Sequence, residues 1–202
     1  AVSIAGGTVE RMLGVPGEAE HVGRGVSYCA VCDGAFFRDQ EVAVIGGGNS
    51  ALEEALYLTQ FAKKVTIVIR RDVFRAEAHV QQQVEQNERI TIIRRHVPKQ
   101  ILDDGNRVIG LVIEDVESKE TTTLPVAGVF PYVGADPAVS FLNGLDICDE
   151  RGYLLVDEHN ETKIKGIYGV GDVVAKPLRQ VVTAAGDGAN AAQHAFHAIK
   201  GI

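Results

Sequence analysis

The sequence predicts an α/β protein in which short buried parallel strands alternate with helices. Three observations carry this. Val42–Ile45 and Val65–Ile69 are short apolar runs ended by glycine or charge, the pattern of strands covered on both faces. A helical pattern follows each: Leu52, Ala55, Leu56 and Leu58 after the first, Ala76, Val80 and Val84 after the second. Gly46 and Gly48 stand at the first strand-to-helix junction, where a sharp reversal needs residues without side chains.

The 202 residues are 46% hydrophobic and 23% charged, which suits one or two globular domains with a real core. A net charge of −7 argues against general nucleic-acid binding. No apolar run approaches a membrane span, and the first residues lack the basic-then-apolar order of a secretory signal. Three cysteines, two of them closely spaced, fit a reducing cytoplasm better than a secreted disulfide scaffold. The expectation is a cytoplasmic protein with no membrane or nucleic-acid partner.

Taken in order, Ala-Val-Ser-Ile-Ala-Gly-Gly at the start reads as the end of a strand. Pro16-Gly17 marks a turn, and Ala5 to Ser27 reads as a connecting segment. One nucleotide-binding domain is expected over 26–130. Its first helix covers Leu52–Phe61 and its second Arg75–Gln86, with a strand at Ile90–Ile93. Val108–Asp115 alternates and pairs with Thr121–Leu124 across the charged turn Ser118–Glu120, giving a β meander. Arg94, Arg95 and His96 read as a solvated strand end. Val129–Val133 is a strand ended by Gly134, Gly144–Gly152 a loop, and Ile167–Val170 a short strand ending in Gly171-Asp172. The last helix runs from Gln180 to Ile199; His194 and His197 lie on its surface and are assigned no chemistry. The whole describes a Rossmann-like three-layer domain with a β meander, followed by a second region over 131–202.

Gly46, Gly48 and Ala51 fit G-x-G-x-x-A between strand and helix. Gly46 makes the tight turn, Gly48 lets backbone approach a pyrophosphate, and small Ala51 lets the helix pack close to the strand. The helix N-terminus supplies free N–H groups and positive dipole for phosphates. Asn49 and Ser50, inside the turn, complete this candidate cofactor-binding set.

The following strand decides which dinucleotide. An acidic residue at its end would hold an NAD ribose hydroxyl. Here it ends in Arg70 and Arg71, with Arg75 a helical turn further on. Guanidinium groups bind a 2′-phosphate that a carboxylate would repel. The reading is NADPH over NADH; the competing reading is a solvated charge cluster with Asp72.

Cys29-Ala-Val-Cys32 can be a redox disulfide, half a zinc site, or chance. A four-ligand zinc site needs a second pair, whereas Cys148 stands alone and no histidines follow at finger spacing, so no metal ligands are assigned. Close spacing allows an intramolecular disulfide and tends to lower the thiol pKa. Asp33 is either a proton relay or the turn residue before Gly34; the sequence leaves these even.

Cys-Ala-Val-Cys-Asp-Gly-Ala-Phe-Phe, Val-Ile-Gly-Gly-Gly-Asn-Ser-Ala-Leu-Glu-Glu-Ala-Leu-Tyr-Leu, Arg70-Arg71-Asp-Val-Phe-Arg75-Ala, Gly169-Val-Gly-Asp172-Val and Arg179-Gln180-Val-Val-Thr-Ala-Ala-Gly occur here in the order that resembles the low-molecular-weight thioredoxin reductases. The resemblance covers nearly the whole chain. It implies partial FAD-domain segments at 1–25 and 131–202 around the NADPH-binding domain. Such enzymes begin with another strand and G-x-G-x-x-G turn for FAD, a region absent here. The expectation is therefore a chain that binds NADPH, retains no FAD and is inactive alone.

For the intact enzyme the resemblance implies NADPH-dependent reduction of thioredoxin by a homodimer. Hydride passes to FAD, and reduced FAD reduces Cys29–Cys32. Cys32 faces the flavin, Cys29 attacks the thioredoxin disulfide, and Asp33 donates a proton. Gly134 lies near the nicotinamide nucleotide; Asp172, Arg179, Gln180 and Val181 lie at the FAD. Departures from the pattern are Ile69 for the usual histidine before the arginines, Ala135 for a histidine, and Gly6 for a threonine beside the flavin. Two other classes compete with this reading. The flavoprotein subunit of alkyl hydroperoxide reductase usually has Cys-Pro-x-Cys and an extra N-terminal region. A non-catalytic nucleotide-binding module would carry an inert cysteine pair. The exposed stripe expected on the last helix (Val181, Val182, Ala185, Ala189, Ala192, Phe196, Ile199) would repack or self-associate.

Overall fold

The computed structural model describes residues 1–142 and 144–201. In chain order the strands are β1 Val2–Ile4, β2 Thr8–Glu10, β3 Glu41–Ile45, β4 Lys64–Ile69, β5 Ile90–Arg94, β6 His96–Asp103, β7 Val108–Asp115, β8 Thr121–Leu124, β9 Gly128–Pro131, β10 Ala135–Pro137 and β11 Ile167–Gly169. The α-helices are α1 Ala30–Asp33, α2 Asn49–Leu58, α3 Ala78–Gln86 and α4 Val181–Lys200. Two units divide the chain: Arg11–Gly134, and Ala1–Glu10 with Ala135–Ile202.

The 11–134 unit is built on a parallel sheet of order β5-β4-β3-β9. Alternation decides its layers, because successive side chains of a strand point to opposite faces. Val42, Val44, Val65, Ile67 and Ile69 join Leu52, Ala55, Leu58, Val80 and Val84 in a core beneath the helices. Ala43, Ile45, Val68 and Val129 face the other way, onto Ile101, Val108, Leu111 and Ile113 of the antiparallel meander β6-β7-β8. Helices, parallel sheet and meander thus form the three layers. Leu52 and Leu58 are wholly buried, each stabilising the helix-sheet contact by roughly 1.5–3 kcal/mol.

The sheet order sets the position of the site. β3 pairs with β4 on one side and with β9 on the other, both in parallel. The chain leaves β3 through α2 to β4 and returns from the meander to β9. The strand order therefore reverses at the carboxyl end of β3, where open α/β sheets bind ligands.

Three elements differ from the sequence reading. α2 begins at Asn49, three residues before Leu52, because the glycine turn feeds directly into it. α3 begins at Ala78 rather than Arg75. Arg75 N donates to Gly47 O (2.7 Å) and Glu77 N to Asn49 Oδ1 (2.7 Å), so these residues are extended against the glycine turn. The segment read as a strand end at Arg94–His96 leads into a full strand, β6. β6 is the meander's outer strand and carries Pro98 beside a register shift, as a proline in a sheet requires.

Residues 11–27, read as part of a connecting segment, pack onto the meander. Glu18 is wholly buried and accepts from Leu13 N (2.8 Å), Gly14 N (2.8 Å) and Tyr28 Oη (2.9 Å). Gly17 has φ +87°, and a Cβ there would overlap the Ile101 carbonyl oxygen.

In the other unit β1 pairs in parallel with β11, and β2 pairs antiparallel with β10. Ile4, Ile147, Leu154, Val173 and Val174 form one cluster, and Ala191 of α4 packs with Tyr168 and Val170 in another. α4 starts in a reciprocal Gln180–Thr183 cap and ends at Gly201 in left-handed geometry. The stripe expected on α4 is exposed along its length, from Val181 to Ile199. No helix among the described residues is long and apolar enough to cross a membrane.

Candidate functional site

The glycine turn follows β3 at once. Gly46 has φ +145°, and its N–H reaches Val68 O (3.1 Å). A Cβ there would overlap the Tyr132 carbonyl oxygen, so glycine is required. Nothing lies within 4 Å of where a Gly48 Cβ would be. Gly48 is also the N-cap of α2, and no side chain caps the first N–H groups of the helix. Ala51 is wholly buried behind the turn. Asn49 is committed to both ends of the Glu77 contact, with Nδ2 to Oε1 at 3.2 Å, and Ser50 is exposed.

A cavity of about 420 Å³ opens here, lined by Gly46, Gly47, Arg70, Arg71, Arg75 and Tyr132 among others. The three arginines are exposed, and among the described residues none of them is ion-paired. Asp72, which could have neutralised them, lies 3.8 Å from Arg95 instead. Ile69, in place of the usual histidine, is buried against the position where Gly47 would carry a Cβ. Gly134, at φ +117°, takes the Arg11 N–H on its carbonyl (2.9 Å).

Cys29 and Cys32 are joined in a disulfide. Cys29 is the N-cap of α1, and its Sγ accepts from Cys32 N (3.2 Å). Ser27 Oγ takes the Cys29 N–H (3.1 Å). Cys32 is exposed and Cys29 half-buried, with Val31 and Phe36 solvent-exposed beside them. Asp33 lines a shallower cavity of about 300 Å³ with Arg24, Phe36 and Arg107. Cys148 keeps a free thiol in the other unit. Burial pushes that thiol up, with Asp149 and Asp146 adding to it.

The pair rests on a polar support that the sequence did not reveal. Ala30 N donates to Tyr132 Oη (2.8 Å), and Glu54 accepts from Tyr132 and from the Val31 backbone. Burial raises the Glu54 carboxyl above its ordinary value, Glu53 pushes the same way, and the two hydrogen bonds oppose. Its Oε2 is buried with no partner among the described residues. A polar residue beside Leu52 and Ala55 on a core-facing helix was the signal available, and it is a weak one.

In the other unit, Asp172 sits in a short 3-10 turn at Gly171–Val173, and its Oδ1 is buried without a partner among the described residues. Arg179 turns inward: Nε donates to Asp172 O (3.0 Å), Nη2 to Val174 O (3.2 Å), and the guanidinium lies 4.2 Å from the centre of the Tyr153 ring. Gln180 is used as the α4 cap, and Val181 is exposed.

A glycine turn at a sheet switch point and a CxxC disulfide in the same unit define a class, and the sequence comparison agrees. Residues 1–188 match the pyridine nucleotide-disulphide oxidoreductase family, and the chain belongs to it. Its relatives include thioredoxin reductases. The protein of that name from Listeria innocua is 47% identical over 195 residues, covering 96% of this chain and 61% of the relative. The Bacillus subtilis thioredoxin reductase is 45% identical over 200 residues, covering 99% and 63%. The crystal structure of the Streptococcus pyogenes thioredoxin reductase superposes with a TM-score of 0.91 at 48% identity, over 100% of this chain and 66% of that one. The chain thus spans a little under two-thirds of the length of the relatives it matches.

Proposed function

We propose that this chain serves an NADPH-dependent flavoprotein disulfide reductase that reduces thioredoxin through Cys29–Cys32. The observation that carries the reading is an exposed disulfide in the same unit as an arginine-lined cavity behind a glycine turn. The residues present fit the two cofactors. The open approach to Gly48, the uncapped start of α2, Asn49, Ser50 and Ala51 suit a pyrophosphate; Arg70, Arg71 and Arg75 suit a 2′-phosphate, and Gly134 the nicotinamide side. The unpartnered Asp172 Oδ1 suits a donating hydroxyl of the FAD polyol, with Arg179 donating to the Asp172 carbonyl and Gln180 and Val181 following it. When bound, the nicotinamide and flavin together supply the two electrons that open the disulfide.

The 11–134 unit, which contains the 26–130 domain expected from the sequence, binds NADPH and carries the cysteines, while 1–10 and 135–202 belong to the FAD region. The chain's own chemistry is thiol–disulfide exchange. Cys29, released as a thiolate, attacks a sulfur of the partner disulfide and expels a partner thiolate, which Asp33 protonates. The Asp33 carboxylate then takes the Cys32 proton, and the Cys32 thiolate attacks Cys29, expels the second partner sulfur as a thiolate that takes a proton from solvent, and restores Cys29–Cys32. Thioredoxin lies near −270 mV, within reach of a nicotinamide donor. Val31 and Phe36 give a protein substrate an apolar surface beside the sulfurs. The setting is the reducing cytoplasm, and the exposed face of α4 suits a homodimer.

The test needs no flavin. Reduced chain carrying Cys32→Ser is mixed with oxidised thioredoxin, and mixed disulfides are identified by mass spectrometry. A Cys29–thioredoxin adduct that fails to form with Cys29→Ser is expected. Absence of any adduct refutes the reading, as does zinc held by the pair.

A further inference from the structure

Among the groups the scheme above leaves unused, Glu54 stands apart, because it touches the redox helix from below. Cys29 and Cys32 enclose only Ala30 and Val31, and both of these donate their N–H groups into one cluster: Ala30 to Tyr132 Oη, Val31 to Glu54. Tyr132 in turn donates to Glu54. Of the two carboxyl oxygens, Oε2 is buried with no partner among the described residues.

A buried carboxylate oxygen with no donor is costly, whereas the protonated form removes the charge that burial penalises. We propose that Glu54 is a positioning residue that holds the Cys29–Cys32 segment through Tyr132 and Val31 and exchanges a proton in step with the pair's oxidation state. The inference rests on the reading that Cys29 and Cys32 cycle between disulfide and dithiol.

The balance is as follows. A small dithiol reductant gives up two electrons and two protons as it closes to its own disulfide. The Cys29–Cys32 bond accepts both electrons. One proton stays on one of the two sulfurs, leaving thiol and thiolate. The other goes to the Glu54 carboxylate, because a new thiolate beside the Ala30 and Val31 peptides that the Glu54–Tyr132 cluster holds makes a second negative charge there unfavourable. Reoxidation by a disulfide reverses both transfers. Other charged groups around α2 are Glu53 on the same helix, Asp33 on α1 and Lys64 on β4. Three more are paired elsewhere: Glu41 with Lys63 (3.9 Å), Glu77 with His79 (3.5 Å) and Glu85 with Arg94 (3.2 Å).

The experiment compares the chain with its Glu54→Gln variant, both carrying Cys148→Ser so that only the pair titrates. The amide keeps an acceptor for Tyr132 and Val31 and cannot take up the proton. Thiolate absorbance of the reduced proteins is followed from acid to alkaline pH, with the rate of alkylation read at pH 6. The expected result is thiolate formation at lower pH in the variant, with alkylation faster by about tenfold for each pH unit of that shift. Coincident titrations would overturn the proposal and leave Glu54 a structural acceptor. Should the variant fail to fold, infrared difference spectra of the parent decide: reduction must add a protonated-carboxyl band, and its absence refutes the coupling. Failure of the pair to reduce at all would instead strike the disulfide-reductase reading.

Discussion

Replacing Arg70 and Arg71 together by alanine should collapse the preference for NADPH over NADH. The two side chains and Arg75 line the cavity behind the glycine turn and carry no ion pair among the described residues. A hydrogen bond to a charged group contributes about 1.5–3 kcal/mol. One such contact to the 2′-phosphate corresponds to roughly a ten- to 150-fold affinity ratio. All three arginines are exposed, so solvent screening holds the total near the value of one contact rather than three. Calorimetry with both nucleotides at low and high salt is the assay. The parent should favour NADPH at least about tenfold, less at high salt, and the double variant should retain only what Arg75 supplies. Its fold should be intact, because exposed substitutions of this kind usually change stability by under about 0.5 kcal/mol. NADH affinity must stay constant; an equal loss for both nucleotides would place the arginines on the shared pyrophosphate. Equal affinities in the parent would refute the assignment outright.

Three further outcomes are expected. Glu18→Ala should lower stability by about 3 kcal/mol in urea unfolding, since it strands the Leu13 and Gly14 N–H groups and removes the Tyr28 hydroxyl's bond to Oε1, while Glu18→Gln should cost less. Alkylation under denaturing conditions should find one thiol in the oxidised chain, Cys148, and three after reduction; a bridge from Cys148 to either partner contradicts the structure. Glu54 has its carboxyl raised in the folded state, so its stabilisation is complete below the ordinary glutamate value of 4.5 and is lost as pH rises through the raised one. Urea midpoints of the parent should therefore fall relative to Glu54→Gln across that window, and a relative rise would show the sign to be wrong.

The parallel sheet was legible because Val42–Ile45 and Val65–Ile69 obey a local rule: buried strands are apolar throughout. The glycine turn was legible because Gly46 needs a conformation and a clearance that side chains forbid. Element boundaries were set by contacts distant in sequence. Arg75–Glu77 scan as the first turn of a helix, yet their N–H groups are claimed by Gly47 and Asn49. β6 follows a segment that reads as a solvated strand end, and only its place at the outer edge of the meander, where Pro98 is tolerated beside a register shift, makes it a strand. The same holds for the site. Cysteines and arginines announce themselves by type and spacing, whereas Glu54 and Tyr132 become functional candidates only when folding brings residues 78 positions apart beneath the same two peptide bonds.

That convergence gives α2 a double position. Its first residue, Asn49, clasps Glu77, while the segment from Arg75 is tied to Gly47, so the glycine turn and the segment carrying Arg75 are hydrogen-bonded together. Five residues along, Glu54 reaches the backbone between the cysteines. α2 is held against the sheet by Ala51, Leu52, Ala55 and Leu58, all wholly buried, so a shift at one end of so short a helix is carried to the other. Tyr132 closes the circuit: its carbonyl crowds Gly46 and its hydroxyl takes the Ala30 N–H. The glycine turn and the disulfide-bearing helix are thus two ends of one packed body, joined through a tyrosine that touches both.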